Sequence, residues 1–444
     1  MSTSDSQVQP PSAHDVAAEL LARKGLKLQS LQTVQKLWAG YGEICRVTAV
    51  PDGSLNANAS QTTTTTTTPH AASHSSSEPQ SFILKLVTPP ATQPRDEGHV
   101  RKILSYRVEQ YFYTHLAPQM PPWLPVPQCV GSIQRTAANG SSITATLLSD
   151  LRVLYPEAGE SRTELSPAQV TAALDWLSGF HGFWWPRASK LRRSSLVLPP
   201  LQQQQQQQQH GARETSVWLN GGYTYLATRG AEFARLAHNP HAAWARPLTA
   251  PLSATLTPHT PSSSLSVAAA AAAYLAPRLS PADSPTARYH TLLHGDVKAA
   301  NLFTHAAGAG HPAAAAFYDF QYTGLGLGAC DLAKLFTCAV PLSLLTATHP
   351  VPDVLPMQPG ERALLERYLA RVRDASGQHY AWDVFARHWE TALVDWLRFQ
   401  ASWGFWGNTE WLEARVRSIL RDEGWRAEVA GAVGDGGFDE LGGG

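Results

Sequence analysis

No run of about 18 consecutive apolar residues occurs anywhere in the 444 residues, which argues against a membrane-spanning helix. The nearest approach, Leu265 to Ala276, is short, mostly alanine and bracketed by proline. A surplus of charge is missing too. The 35 Lys and Arg balance the 35 Asp and Glu, whereas a nucleic-acid partner would require a basic excess. Cysteine is scarce: Cys45, Cys129, Cys330 and Cys338 form no Cys-x-x-Cys pair and no metal-ligand spacing. They read as reduced thiols in a reducing compartment. The stretch Met1 to Pro11 is polar, carries Asp5 and lacks the apolar centre of a secretory signal. No internal repeat is present. What remains is a chain with 43% hydrophobic residues, enough to pack one large or two small domains. A soluble cytoplasmic protein is the expectation.

Three stretches have compositions that do not bury enough apolar surface to offset chain entropy. Residues 51–80 are rich in Ser, Thr, Asn and Ala and hold the run Thr62 to Thr68. Residues 188–215 hold the run Gln202 to Gln209, and 237–287 are Ala, Pro, Ser and Thr. All three are expected to be mobile insertions. Between them, periodicity predicts a short helix over 14–24 capped by Asp15 or His14. Strands follow over 27–38, 43–50, 81–87, 128–135 and 142–149, with a helix over 97–117. Further helices are expected over 166–183, 217–236, 361–373, 381–403 and 409–430, and a hairpin joins 300–304 to 315–319. A strand-rich first part and a helix-rich second part imply two lobes with a cleft.

The chemistry concentrates in Leu293-His294-Gly295-Asp296-Val297-Lys298-Ala299-Ala300-Asn301, followed by Phe317-Tyr318-Asp319-Phe320-Gln321. Phosphoryl transfer needs a carboxylate to orient or deprotonate an acceptor hydroxyl, and oxygen ligands that fix magnesium against the phosphates. Asp296 suits the base. Asn301, five residues on, and Asp319, returned beside it by the hairpin, suit the metal.

His-Gly-Asp-x-x-x-x-Asn followed by Asp-Phe-Gln resembles the aminoglycoside phosphotransferase and choline kinase superfamily, closest to its ecdysteroid-kinase-like (CHK-kinase-like) branch. The resemblance covers about residues 27–430, apart from the insertions, and is strongest over 290–336. It implies an α+β, bilobal protein-kinase-like fold with a small β-rich N-lobe and a larger, mostly helical C-lobe. It also implies ATP and Mg2+ as cofactors, Asp296 as catalytic base, and Asn301 and Asp319 as metal ligands. Lys298 stands where a kinase lysine meets the transferred phosphate. His294 would hold the loop by hydrogen bonds, and Asp331 would cap the next helix and brace that loop. Leu177-Ser178-Gly179-Phe180-His181 resembles a family helix end, with His181 read mainly as a packed core histidine. The aromatic series Trp396, Phe399, Trp403 and Trp406 is read mainly as core as well, although choline-binding relatives hold a quaternary ammonium against such rings.

Upstream, Lys85 sits mid-strand between Leu84 and Leu86, where an ammonium needs anionic partners. Glu97 and Glu109 are both possible partners; the spacing usual in the resembled fold favours Glu109, with ATP phosphates completing the set. Gly40 and Gly42 would form the loop over the phosphates, with Cys45 where a third glycine belongs. Thr146 to Leu151 resembles the adenine-binding hinge. The expected organisation is a tail and short helix (1–26), an N-lobe (27–150), a C-lobe (151–430) and a flexible tail (431–444).

Eleven residues separate Asp319 from Asp331 and no Ala-Pro-Glu follows, too short an activation segment to seat a peptide. The expected function is therefore transfer of the ATP γ-phosphate to a small hydroxylated acceptor: an amino alcohol, sugar, aminoglycoside or steroid-like compound. A pseudokinase or nucleotide-binding module is the alternative, and it usually lacks a base, metal ligand or strand lysine that this chain retains.

Overall fold

The structure, a computed structural model, describes residues 11–52, 78–90, 96–136, 142–192, 195–210, 216–252, 265–306 and 313–434. It divides into two compact units. One holds Met1–His99, Tyr113–Gln119 and Pro127–Val153; the other holds Val100–Phe112, Met120–Val126 and Leu154–Gly444.

The first unit begins with α1 (Ala13–Ala22), whose cap is Ser12: the Asp15 N–H donates to Ser12 Oγ, and the Ser12 N–H to Asp15 Oδ2. Asp15 is thus the third residue of a capping box and not the cap. Strands β1 (Leu26–Lys36), β2 (Gly42–Pro51) and β3 (Gln80–Val87) are followed by α2 (Glu97–Tyr111), which crosses the division between the units. Then come β4 (Cys129–Thr136) and β5 (Ser142–Ser149). The five strands form one antiparallel sheet in the order β1-β2-β3-β5-β4. Cys45, Val47 and Ala49 alternate inward along β2, and with Leu84 and Leu147 they pack against Val16, Leu20 and Leu21 of α1.

Besides the larger part of α2, the second unit holds β6 (Glu157–Ala158), α3 (Pro167–Trp184), α4 (Ala188–Leu191), α5 (Pro200–His210), α6 (Gly230–Ala237), α7 (Ala245–Thr249) and α8 (Val267–Leu275). Strands β7 (Thr291–Leu293), β8 (Leu302–His305), β9 (Ala314–Phe317) and β10 (Gly324–Gly326) follow. Helices α9 (Gly328–Cys338), α10 (Leu342–Leu345), α11 (Pro359–Ser376), α12 (Trp382–Trp403), α13 (Thr409–Leu420) and α14 (Glu423–Val433) complete it. The chain is α+β, with its sheet in the N-terminal region and a helical C-terminal part. Among the described residues no helix is long and apolar enough to cross a membrane.

Several expectations are corrected. Residues 188–215 and 237–287 contain helices where mobile loops were expected. Alanine is the best helix former, Ser266 caps α8, and Ala268 to Ala273 are all buried, so that run is core. Residues 53–77, 193–194, 211–215 and 253–264 of the three insertions, and 435–444 of the expected flexible tail, lie outside the described residues. The helix expected over 217–236 is an irregular segment up to Gly230: Trp218 bridges to the β10 backbone, and Gly222 takes φ +104. The helix expected over 409–430 breaks at Asp422, whose carboxylate caps α14.

Candidate active site

Two short strand pairs position the second unit's polar cluster. β7 pairs antiparallel with β10, placing Leu293 opposite Gly324. β8 pairs antiparallel with β9, placing Leu302 opposite Phe317. The loop 294–301 connects them. Gly295 takes φ +88, and a Cβ there would meet the Tyr322 carbonyl at 2.1 Å, so the turn tolerates only glycine.

Asp331 braces this loop as expected but does not cap the helix: the cap position is Leu327, and Asp331 is fully buried in the first turn of α9 with its carboxylate turned to the loop. It accepts the His294 N–H at 2.7 Å and the Gly295 N–H at 3.0 Å, and His181 Nε2 donates to it at 3.2 Å. Lys334, one turn on, places Nζ 4.0 Å from Asp331 and donates to the Gly295 carbonyl at 2.9 Å. Burial pushes the Asp331 carboxyl up, but the His181 hydrogen bond and the Lys334 charge outweigh it and hold the group below its ordinary range. The His294 ring is fixed from both sides. Nδ1 accepts the Asp296 N–H at 3.2 Å, and Nε2 donates to the Tyr318 carbonyl at 2.9 Å. Burial lowers its pKa, consistent with a neutral ring that orients the loop.

Asp296 is buried, and its two oxygens differ. Oδ2 accepts Lys298 Nζ at 2.7 Å and Asn301 Nδ2 at 3.0 Å, while Oδ1 has no protein donor among the described residues. Asn301 Nδ2 also donates to the Asp296 carbonyl at 2.9 Å, so its amide oxygen points away from that pair. Burial lowers the Lys298 affinity for a proton, but the carboxylates of Asp296 and Asp319 more than reverse this, and its ammonium is held charged. The Tyr318 N–H donates to the Asn301 carbonyl at 3.0 Å, which brings Asp319 to the Asn301 end of the hairpin. Asp319 takes φ +67 and accepts Gln321 Nε2 at 2.6 Å; Ser105 of α2 in turn donates to Gln321 Oε1 at 3.2 Å. Phe320, between them, stacks on Phe112 at 3.7 Å and anchors the segment.

Among the described residues no group of three or more His, Cys, Asp or Glu forms a metal cluster. One carboxylate and one amide oxygen are nonetheless the hard donors that suit a magnesium completed by phosphate and water. Asp296, Lys298, Asn301, His294 and Asp331 come together in the second unit, with Asp319 two residues past the end of β9. Glu109, buried on α2, belongs to the same unit, whereas Lys85, Gly40 and Gly42 belong to the first.

In the first unit, register places Lys85 opposite Ile44 and Thr146, buried in the middle of the sheet. Gly42 lies opposite Val87 with φ +136, and a Cβ on it would meet the Leu86 carbonyl at 2.0 Å. Gly40 takes φ +74 in the turn between β1 and β2. Cys45, in the third glycine's place, is buried under this hairpin.

Sequence reasoning missed the roles of His181 and Lys334. His181 was read as core packing; its ring joins Tyr368 Oη, 2.9 Å from Nδ1, to Asp331. The α9 spacing, with Lys334 three residues after Asp331, was the available signal. Of the aromatic series, Trp396 and Phe399 are buried while Trp403 is 57% exposed.

Residues 73–348, more than half the chain, match the phosphotransferase enzyme family (APH). No curated protein matches the sequence. Among solved structures, the microcompartment-associated aminopropanol kinase is 11% identical, with TM-score 0.38, covering 94% of this chain and 99% of its own. The GDP complex of wild-type aminoglycoside 2'-phosphotransferase-IIIa is 12% identical, with TM-score 0.35, covering 95% and 96%. A choline kinase from Cryptosporidium parvum Iowa II is 10% identical, with TM-score 0.34, covering 92% and 87%. By the extent of its sequence match, the chain belongs to the phosphotransferase enzyme family.

Proposed function

We propose that the protein is an ATP- and magnesium-dependent small-molecule kinase that phosphorylates a hydroxyl of a small acceptor. The observation that carries this reading is the asymmetry of Asp296. One carboxylate oxygen is pinned by Lys298 and Asn301, which leaves the other to take the acceptor's hydroxyl proton or orient it. Lys298, held charged beside it, would meet the transferred phosphoryl oxygens. Asn301 Oδ1 and the Asp319 carboxylate would hold magnesium, which neutralises charge developing between the β- and γ-phosphates. In the first unit, Lys85 would seat the α- and β-phosphates, with backbone amides of the turn at Gly40 and Gly42. The short segment between Asp319 and Asp331 favours a small acceptor over a peptide. On this reading residues 27–150 act as the N-lobe and 151–430 as the C-lobe of a cytoplasmic CHK-kinase-like enzyme.

Titration of ATP with magnesium into wild type, Asp296→Asn and Lys85→Met tests it. Wild type and Asp296→Asn should bind alike, and Lys85→Met should bind about tenfold more weakly, the effect of one charge-assisted contact. No binding by wild type would defeat the reading.

A further inference from the structure

Beside Asp296 lies an aromatic cage. The Gly222 N–H donates to the Tyr322 carbonyl at 2.9 Å, and both backbones crowd Gly295, the neighbour of Asp296. The ring of Tyr223 lies 5.0 Å from that of Tyr322. Beyond it, the Phe399 ring meets Tyr223 edge-on at 5.6 Å and stacks on Trp403 at 6.1 Å. Tyr223, Phe399 and Trp403 thus form the kind of three-sided ring box that captures ammonium groups.

The box is already filled by the chain's own cation. The Arg229 guanidinium carbon sits 4.8 Å from the Trp403 centroid, 5.6 Å from Tyr223 and 5.7 Å from Phe399. It is held there by two further bonds, Nε to the Tyr223 carbonyl at 2.8 Å and Nη1 to Glu232 Oε1 at 3.2 Å. Arg229 is buried, and Arg101 of α2 donates to the neighbouring Thr228 carbonyl at 3.2 Å. A second cation entering this box would displace Arg229 from three rings and a carboxylate, or face it at close range in a poorly solvated site.

We propose that Arg229 is a specificity-determining residue that bars ammonium-bearing acceptors, so that the acceptor is a hydroxylated compound presenting a carboxylate or carbonyl to this wall. The proposal deepens the kinase reading and rests on it. Tyr223 and Tyr322 are the rings next to the Asp296 loop, and the Arg229 guanidinium lies over Tyr223, so an acceptor seated at Asp296 and extending over these rings would meet it. There a guanidinium offers planar donors to oxygen, and the exposed face of Trp403 offers a surface for an apolar or flat body.

The test is a calorimetric titration of tetramethylammonium chloride into the full-length protein. Wild type should show no saturable binding. Arg229→Ala empties the box and leaves Glu232 beside it, and it should gain binding by about tenfold or more, the size of a desolvated cation–ring contact. Arg229→Met, which keeps the bulk without the charge, should gain none and reports on whether the region stays folded. Adding Trp403→Ala, at a half-exposed ring, should remove what Arg229→Ala gained. Saturable binding by wild type equal to that of Arg229→Ala would overturn the proposal, as would an Arg229→Ala protein that keeps the wild-type unfolding midpoint and gains nothing. Turnover with 3-amino-1-propanol against 3-hydroxypropanoate, with Asp296→Asn as control, reads the same question in the active enzyme. Faster turnover of the amine would also overturn it. The titration needs no activity, so failure of the cage argument and failure of the kinase reading are separately visible.

Discussion

At the scale of single residues, the second unit's cluster is built on one buried carboxylate. Asp331 serves two backbone amides and a histidine at once, and nothing else among the described residues reaches those amides. Asp331→Ala should therefore cost about 3–5 kcal/mol of stability, the penalty for breaking a buried charged network from one side. Urea unfolding checks it, and a loss below about 1 kcal/mol would mean the loop is held elsewhere. Asp319 offers a sharper separation of fold from chemistry. Its φ of +67 is tolerated by asparagine, so Asp319→Asn should unfold at an unchanged midpoint while losing magnesium-dependent turnover. The sequence showed these residues because their types and spacing are local: Asp296, Asn301 and Asp319 lie on one loop and one hairpin. His181, Tyr223 and Arg229 were not legible as neighbours of that loop. Their proximity depends on how α3 and the segment 216–229 fold back, and no local pattern encodes that.

At the scale of elements, strands were legible where burial alternates, as along β2, and the hairpin β8–β9 where two short apolar arms flank a loop. The failures share a cause. Low complexity was taken as evidence of disorder, yet an alanine run has high helix propensity, and on a buried helix its small side chains allow close packing. Helix α8 packs Ala268 to Ala273 entirely inside the second unit. Ala271→Leu should accordingly destabilise the protein by about 1–3 kcal/mol through overpacking, read as a lowered denaturant midpoint. A neutral effect would imply slack around the helix. In the other unit, Gly42→Ala places a Cβ against the Leu86 carbonyl at a strained φ and should cost about 1–3 kcal/mol.

At the scale of the whole molecule, acid stability follows from two buried histidines. Burial lowers the pKa of both His290 and His388 to about 3, from an ordinary value of 6.5. Both stay neutral in the folded chain, while the unfolded chain protonates them below about pH 6.5. The unfolded state then binds more protons, so stability is fully present above that pH and is lost as pH falls toward 3. The slope approaches about 1.4 kcal/mol per pH unit for each histidine. Urea unfolding at a series of pH values should show this, and His388→Gln should flatten the slope. Composition had indicated a balanced chain able to pack one large or two small domains, the order of expected strands and helices had indicated two parts, and the family match accounts for the motif order. The acceptor lay beyond sequence reading because the walls proposed for it, Tyr223, Arg229, Phe399 and Trp403, come from segments far apart in the chain.

The central claim is the transfer itself, and the direct measurement is movement of labelled γ-phosphate from ATP to a panel of hydroxylated acceptors with magnesium present. The account predicts acceptor-dependent product from wild type and a loss of at least about a hundredfold in Asp296→Asn. Transfer that survives unchanged in Asp296→Asn would contradict it.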